Sequence, residues 1–183
     1  MSQPKGRACN SPLVSDADGM GTTIRIAYPS AIEALGRGDP PPICQDGQML
    51  KRIDHVGIVV ADLEAAGRLL TQVLGMELVR TLEVPERQLH AAFYRCGETN
   101  VELIQLDDPE VRAGRLGAGP ARIEHLAIEV DGSLDDAASR LAASGVEMNS
   151  TEPMKAGPSA SYWSKPETTG GVMFQFLEYV GGT

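Results

Sequence analysis

The sequence predicts an α+β fold made of two tandem β-α-β-β-β modules, with their strands joined in one curved, cup-shaped sheet and their helices outside. Three observations carry this expectation. Sliding the chain by 70 residues aligns Arg52-Ile53-Asp54-His55-Val56-Gly57-Ile58-Val59-Val60 with Arg122-Ile123-Glu124-His125-Leu126-Ala127-Ile128-Glu129-Val130, the signature of a duplicated unit. Helical spacing follows an acidic turn in each copy: Leu63, Ala66, Leu70, Val73 and Leu74 in the first, Leu134, Ala137, Ala138 and Leu141 in the second. Each helix then meets a glycine, Gly75 or Gly145, suited to the left-handed residue that closes a helix.

Strand-like segments complete each unit, at residues 77–82, 89–95 and 101–106 in the first copy and 146–149, 159–164 and 172–179 in the second. One helix on one apolar sheet face cannot close a core, so the copies must pack side by side. The concave surface becomes the natural site. The domain spans about residues 51–180, with modules at about 51–108 and 121–180. The link from Asp107 to Ala121 contains Gly114, Gly117, Gly119 and Pro120 and is expected to run over the surface, with one helical turn at its start.

Residues 1–50 lack sustained periodicity and end near Asp39-Pro40-Pro41-Pro42, which can continue neither a helix nor an interior strand. They are expected to form a poorly ordered extension. Within it, Thr22 to Tyr28 alternates like an edge strand, and Pro29 to Leu35 has room for one or two helical turns. Met49 precedes the patterned region and offers an alternative start codon.

A formal net charge of -9 argues against a surface that neutralises nucleic-acid phosphates or sits on anionic lipid. No apolar run approaches the roughly 18 residues of a membrane span, and no apolar segment follows the N-terminus, so a cytoplasmic protein is expected. Cys9, Cys44 and Cys96 are odd in number and widely spaced, which suggests neither a disulfide framework nor a thiolate zinc site.

A single histidine inside an apolar strand is ordinarily a core imidazole with one backbone partner. Two at equivalent places in a duplicated unit point elsewhere, because copies related by a pseudo-twofold axis bring His55 and His125 together near that axis. They can then converge on one divalent ion with nitrogens at about 2.0–2.1 Å. The last strand of each copy adds one polar residue among apolar ones, Glu102 within Val101-Glu102-Leu103-Ile104 and Gln175 within Phe174-Gln175-Phe176-Leu177. A buried carboxylate needs a partner, and a metal is a good one. Glu102 is the expected third ligand. Gln175 is either a fourth, through its amide oxygen, or a core amide bonded to backbone.

The run from Ile53 to Val60, then Val84-Pro85-Glu86, Gly97-Glu98-Thr99-Asn100-Val101-Glu102-Leu103, Ile123 to Asp131, Glu152-Pro153 and Thr168-Thr169-Gly170-Gly171-Val172 resembles the vicinal oxygen chelate superfamily of glyoxalases, bleomycin resistance proteins and dioxygenases. Within it, the glycine-rich stretch before the last strand and the Pro-Glu before the third are similar to methylmalonyl-CoA epimerases.

The resemblance implies a divalent metal (Co, Ni, Zn, Mn or Fe) on His55, His125, Glu102 and Gln175, and proton abstraction next to a carbonyl or a thioester such as an acyl-CoA. It also implies pairing as a homodimer. Two departures bear on catalysis. The fourth ligand, normally a glutamate that also serves as base, is Gln175, which accepts no proton at neutral pH. A second base of some members falls at Ala91, and only a one-residue slip, which reverses the face of a strand, would substitute His90. Glu102 then becomes the candidate base. Two further departures concern coenzyme A: Glu167 stands where a basic residue is common, and the loop Ala156 to Ser161 lacks a charge, leaving Lys155 and Lys165 to meet a phosphate.

Other readings stay open on the same scaffold. One is a non-catalytic module that sequesters an apolar or aromatic ligand against Phe93, Tyr162, Trp163 and Phe174. Another is a dioxygenase in which His55, His125 and Glu102 hold ferrous iron.

Overall fold

A computed structural model describes residues 49–180 of the chain. The expectations for residues 1–48, including Cys9 and Cys44, lie outside the described residues. Eight strands form one mixed sheet: β1 (Leu50–Val60), β2 (Leu78–Val84), β3 (Leu89–Cys96), β4 (Thr99–Leu106), β5 (Ala121–Val130), β6 (Met154–Ala156), β7 (Ser159–Trp163) and β8 (Met173–Tyr179). Their order is β2-β3-β4-β1-β5-β8-β7-β6. This is the α+β cup expected from the repeat. β1 and β5 pair antiparallel at the centre, each flanked by a parallel partner, β4 or β8, and the order outward from the seam is the same in both copies.

The helices are α1 (Leu63–Arg68), α2 (Pro109–Leu116) and α3 (Leu134–Ala143). Their starts are capped by Asp62, Asp108 and Ser133, whose side chains accept backbone N–H groups of the first turn. The last strand of each module also reaches back to its helix. Gln105 accepts the Leu63 N–H at 2.7 Å, and Glu178 accepts the Leu134 N–H at 2.9 Å. Gly75 and Gly145 take the expected left-handed conformation, with φ of 68° and 86°.

Burial follows strand alternation. Val60, Leu70, Ala92, Tyr94 and Leu103 form a core under α1, and Val130, Leu134, Ala137, Tyr162 and Phe176 form another under α3. On the concave face, Val59, Ala91, Phe93, Ile104, Leu106 and Leu116 close the first module. Among the described residues, no helix is long and apolar enough to cross a membrane.

Three expectations need correction. The first helix does not continue as an α-helix: Leu69–Val73 form a π-turn, whose wider hydrogen-bonding step rotates the next residues off the buried stripe, leaving Val73 and Leu74 71 % and 57 % exposed. In the second module, residues 146–149 contribute only an isolated bridge, Met148 to Ser164, and the edge strand is β6. Pro153, which has no N–H for a ladder, separates the two. The linker is also more than one turn. α2 runs eight residues and buries Leu116 inside the cup.

Candidate metal centre

β1 and β5 set the histidines. In their antiparallel register Gly57 faces His125 and Ala127 faces His55, so the two imidazoles approach across the seam. Their Nε2 atoms are 3.3 Å apart. β4 brings Glu102 level with Gly57, and its Oε2 lies 3.2 Å from His55 Nε2 and 3.4 Å from His125 Nε2. Neighbouring donors around an ion with bonds of ~2.1 Å stand about 3.0–3.4 Å apart, for octahedral or tetrahedral angles. The three donor atoms already have that spacing. On the other side β8 sets Gln175 level with Ala127, the counterpart of Gly57. Gln175 is buried, its Nε2 donates to Ser161 Oγ at 3.1 Å, and its Oε1 has no hydrogen-bond partner among the described residues. A buried carbonyl oxygen left without a donor is what a cation would satisfy. The residues fit a divalent ion.

Sequence reasoning missed the groups behind the histidines. The register of the β1–β5 pair slips between Ile53 and His55 and again between Gly57 and Ile58, which leaves Asp54 and Glu124 as the extra residues of two β-bulges. A bulge breaks the two-residue alternation, so each acid turns to the same side as the histidine that follows it. Asp54 Oδ1 accepts from His55 Nδ1 at 2.7 Å, which points Nε2 into the cluster. Arg52 and Tyr179 hold the other Asp54 oxygen, at 2.9 and 3.0 Å. Glu124 lies 3.7 Å from His125 Nδ1, too far for a hydrogen bond, and is gripped at both oxygens by Arg115 of α2. The signal in the sequence was an acid before the histidine in both copies.

Burial opposes the imidazolium of His55, but the bonds to Asp54 and Glu102 outweigh it and lift the ring to about 9. Burial likewise pushes Glu102 up, while His125 and His55 hold it down at about 2. His125 is raised too: burial opposes the shift, and the carboxylates of Glu102 and Glu124 overcome it. The arrangement thus favours a charged His55 beside an ionised Glu102, and a metal would have to displace the His55 proton.

The cluster lies at the wall of a cavity of about 460 Å³, bounded on one side by β2 and β3 and on the other by β6 to β8. Phe93 and Trp163 stand edge-on to His55 and His125, at 5.4 and 4.7 Å between ring centroids. Tyr162 and Phe174, one residue out of step on their strands, pack beneath α3 instead of lining the cavity. Ala91 does face into the cup, while His90 points away and sits 3.1 Å from Asp107, so the one-residue slip does not occur. Lys155 reaches the cavity, whereas Lys165 is paired with Glu147 at 2.7 Å. A wider open groove of about 980 Å³ runs beside α3, and none of the four candidate ligands lines it.

Comparisons with known proteins agree with this architecture. Over 84 residues the chain is 36 % identical to the mitochondrial methylmalonyl-CoA epimerase of Bos taurus, covering 45 % of this chain and 48 % of that protein. The Homo sapiens enzyme is 34 % identical over the same coverage. The chain thus spans about half the length of these curated relatives. Among solved structures, methylmalonyl-CoA epimerase from Mycobacterium tuberculosis superposes with a TM-score of 0.67 at 26 % identity, covering 74 % of this chain and 93 % of that one. A methylmalonyl-CoA epimerase in complex with methylmalonyl-CoA and NH4+ shares the fold, with a TM-score of 0.65 at 21 % identity and coverage of 72 % and 96 %. The profile of the Glyoxalase/Bleomycin resistance protein/Dioxygenase superfamily matches residues 54–162, and the chain belongs to that superfamily.

Proposed function

We propose that the protein is a metal-dependent enzyme that takes and returns the proton on the carbon next to a thioester or other carbonyl, in the manner of a methylmalonyl-CoA epimerase. The observation that carries this reading is the convergence of His55, Glu102 and His125 at a cavity wall, with the unpartnered carbonyl of Gln175 beyond them. His55 Nε2, His125 Nε2, Glu102 Oε2 and Gln175 Oε1 are the atoms that would hold the ion, a set that suits Co, Ni, Zn, Mn or Fe. A divalent ion there supplies Lewis-acid charge that acidifies the α-proton and offsets charge on the substrate oxygen.

The chain's own residues do the rest. Asp54 fixes the tautomer of His55. Phe93 and Trp163 wall the cavity and exclude water beside the two imidazoles. Glu102 meets both histidines through Oε2, and among the described residues its Oε1 has no hydrogen-bond partner, which leaves that oxygen to accept the proton. The neutral amide of Gln175 cannot take it. Homodimerisation, an acyl-CoA substrate and a cytoplasmic location belong to the same reading, with β2 and β6 as the sheet edges that a second copy would protect.

Elemental analysis of the purified protein before and after chelation, beside His55→Ala, tests the site. One equivalent of divalent metal, lost in the variant, is expected; no uptake under generous supply would leave the histidines structural. Exchange of the methylmalonyl-CoA α-proton into deuterated water tests the chemistry. Glu102→Gln should abolish that exchange and leave the circular dichroism spectrum intact, and unaltered exchange eliminates Glu102 as base.

A second reading, ligand sequestration without turnover, is favoured by one feature: Gln175 and Ala91 stand where catalytic carboxylates of relatives are expected. Tight thioester binding by a metal-loaded protein that exchanges no proton would decide for it.

A further inference from the structure

Strand β2 lines one wall of the cavity through Arg80, Leu82 and Val84, and alternation would give all three places to apolar side chains. Arg80 breaks that pattern. Ion pairs engage Arg52, Arg68, Arg95 and Arg115, but no carboxylate among the described residues pairs with Arg80. Its guanidinium carbon lies 4.1 Å from the centroid of Phe93, a cation-π contact that fixes the group and leaves its N–H donors without an acceptor among the described residues. The same Phe93 ring stands edge-on to His55 at 5.4 Å and is paired across the ladder with Glu102. The other cavity cations differ: Arg115 is taken by Glu124, and Arg87 and Lys155 are exposed at the rim.

Contacts of 4.1 Å from Arg80 to the Phe93 ring and 5.4 Å from that ring to His55 hold the guanidinium within about 9.5 Å of the His55 ring. A short diacid with its hydrogen bonds can bridge such a span, which is far less than the pantetheine arm that would stand between a thioester here and the phosphates of its carrier. We infer that Arg80 receives the free carboxylate of a 2-carboxyacyl thioester and so separates substituted malonyl substrates from simple acyl ones. The inference rests on the epimerase-like reading above and adds to it the residue that selects the substrate class. A planar, two-pronged guanidinium beside an open cavity is suited to a carboxylate.

Titration calorimetry of the metal-loaded protein and its Arg80→Met variant tests this with three probes: methylmalonate, isobutyrate (in which one carboxylate is replaced by methyl) and adenosine 3′,5′-bisphosphate. Arg80→Met should weaken methylmalonate about ten- to hundredfold and leave the other two unchanged. Equal weakening of isobutyrate, weakening of the nucleotide alone, or methylmalonate binding that is unchanged or absent in the unaltered protein overturns the inference. Should Arg80→Met fail to fold, Arg80→Lys, which keeps the charge and loses the fork, carries the same test with a severalfold weakening expected. Proton exchange on methylmalonyl-CoA is followed in parallel. Absent exchange in the unaltered protein sinks the epimerase reading and leaves the titration to judge Arg80, whereas exchange with an unchanged KM in Arg80→Met sinks the Arg80 role alone.

Discussion

The two modules share a plan and differ in how they hold their ends of the site. In the first, His55 is bonded to Asp54, which Arg52 and Tyr179 hold in turn, and the acid across the cluster is Glu102. In the second, His125 has no hydrogen bond at Nδ1 among the described residues, Glu124 is given over to Arg115, and the matching residue is the neutral Gln175. Negative charge and orienting bonds thus concentrate on one side. His125 is held by packing instead: its ring lies over Gly57 and against Trp163 and is fully buried. Duplication supplied matching positions, and their side chains have since divided orientation by hydrogen bond from orientation by shape.

The largest effect expected from this difference is at the glycine. A β-carbon at Gly57 would overlap the His125 ring and push it out of its place between His55 and Trp163, so Gly57→Ala should abolish metal binding in equilibrium dialysis. Ala127→Gly, at the equivalent position, should leave it nearly unchanged. Equal losses would show that both histidines are held alike.

A smaller effect is expected at the acids. Asp54→Asn should reduce metal affinity about ten- to hundredfold, by loosening the tautomer and orientation of His55. Glu124→Gln, whose carboxylate is already 3.7 Å from the ring, should cause at most a severalfold loss. A competition titration with a chromogenic chelator reads both, and the reverse order would refute the division.

The smallest effect is one of pH. His55 is raised from 6.5 to about 9 in the folded protein, so the stability it contributes is complete below pH 6.5 and is lost as the pH rises through 9. Chelated protein should therefore show a falling denaturation midpoint across that window, and metal-loaded protein a flat one. Asp54→Asn should remove more of the slope than Glu124→Gln.

Much of this was legible in the chain itself. A 70-residue repeat fixed the sheet plan and singled out the histidines, and a polar residue inside each of the runs 101–104 and 174–177 pointed to Glu102 as a ligand and to Gln175 as either a ligand or a core amide. The supporting groups were harder to read, for a physical reason. Neighbours along a regular strand face opposite sides, so Asp54 and Glu124 read as residues turned away from the site until the bulges bring them round. Arg115 sits on a linker whose glycines argued for an irregular path, and its contact with Glu124 depends on tertiary packing. The π-turn after α1 leaves no composition signal that would have excluded Val73 and Leu74 from the buried stripe.

The antiparallel seam between β1 and β5 has one more consequence. It carries both histidines with no loop between them, and a slip of one residue along it would turn every side chain of one of the two strands to the opposite face. Any ion gripped across that seam is then a latch on strand register. Each module holds only half of the proposed site, so uptake of an ion there would report whether its two halves have met in the right alignment.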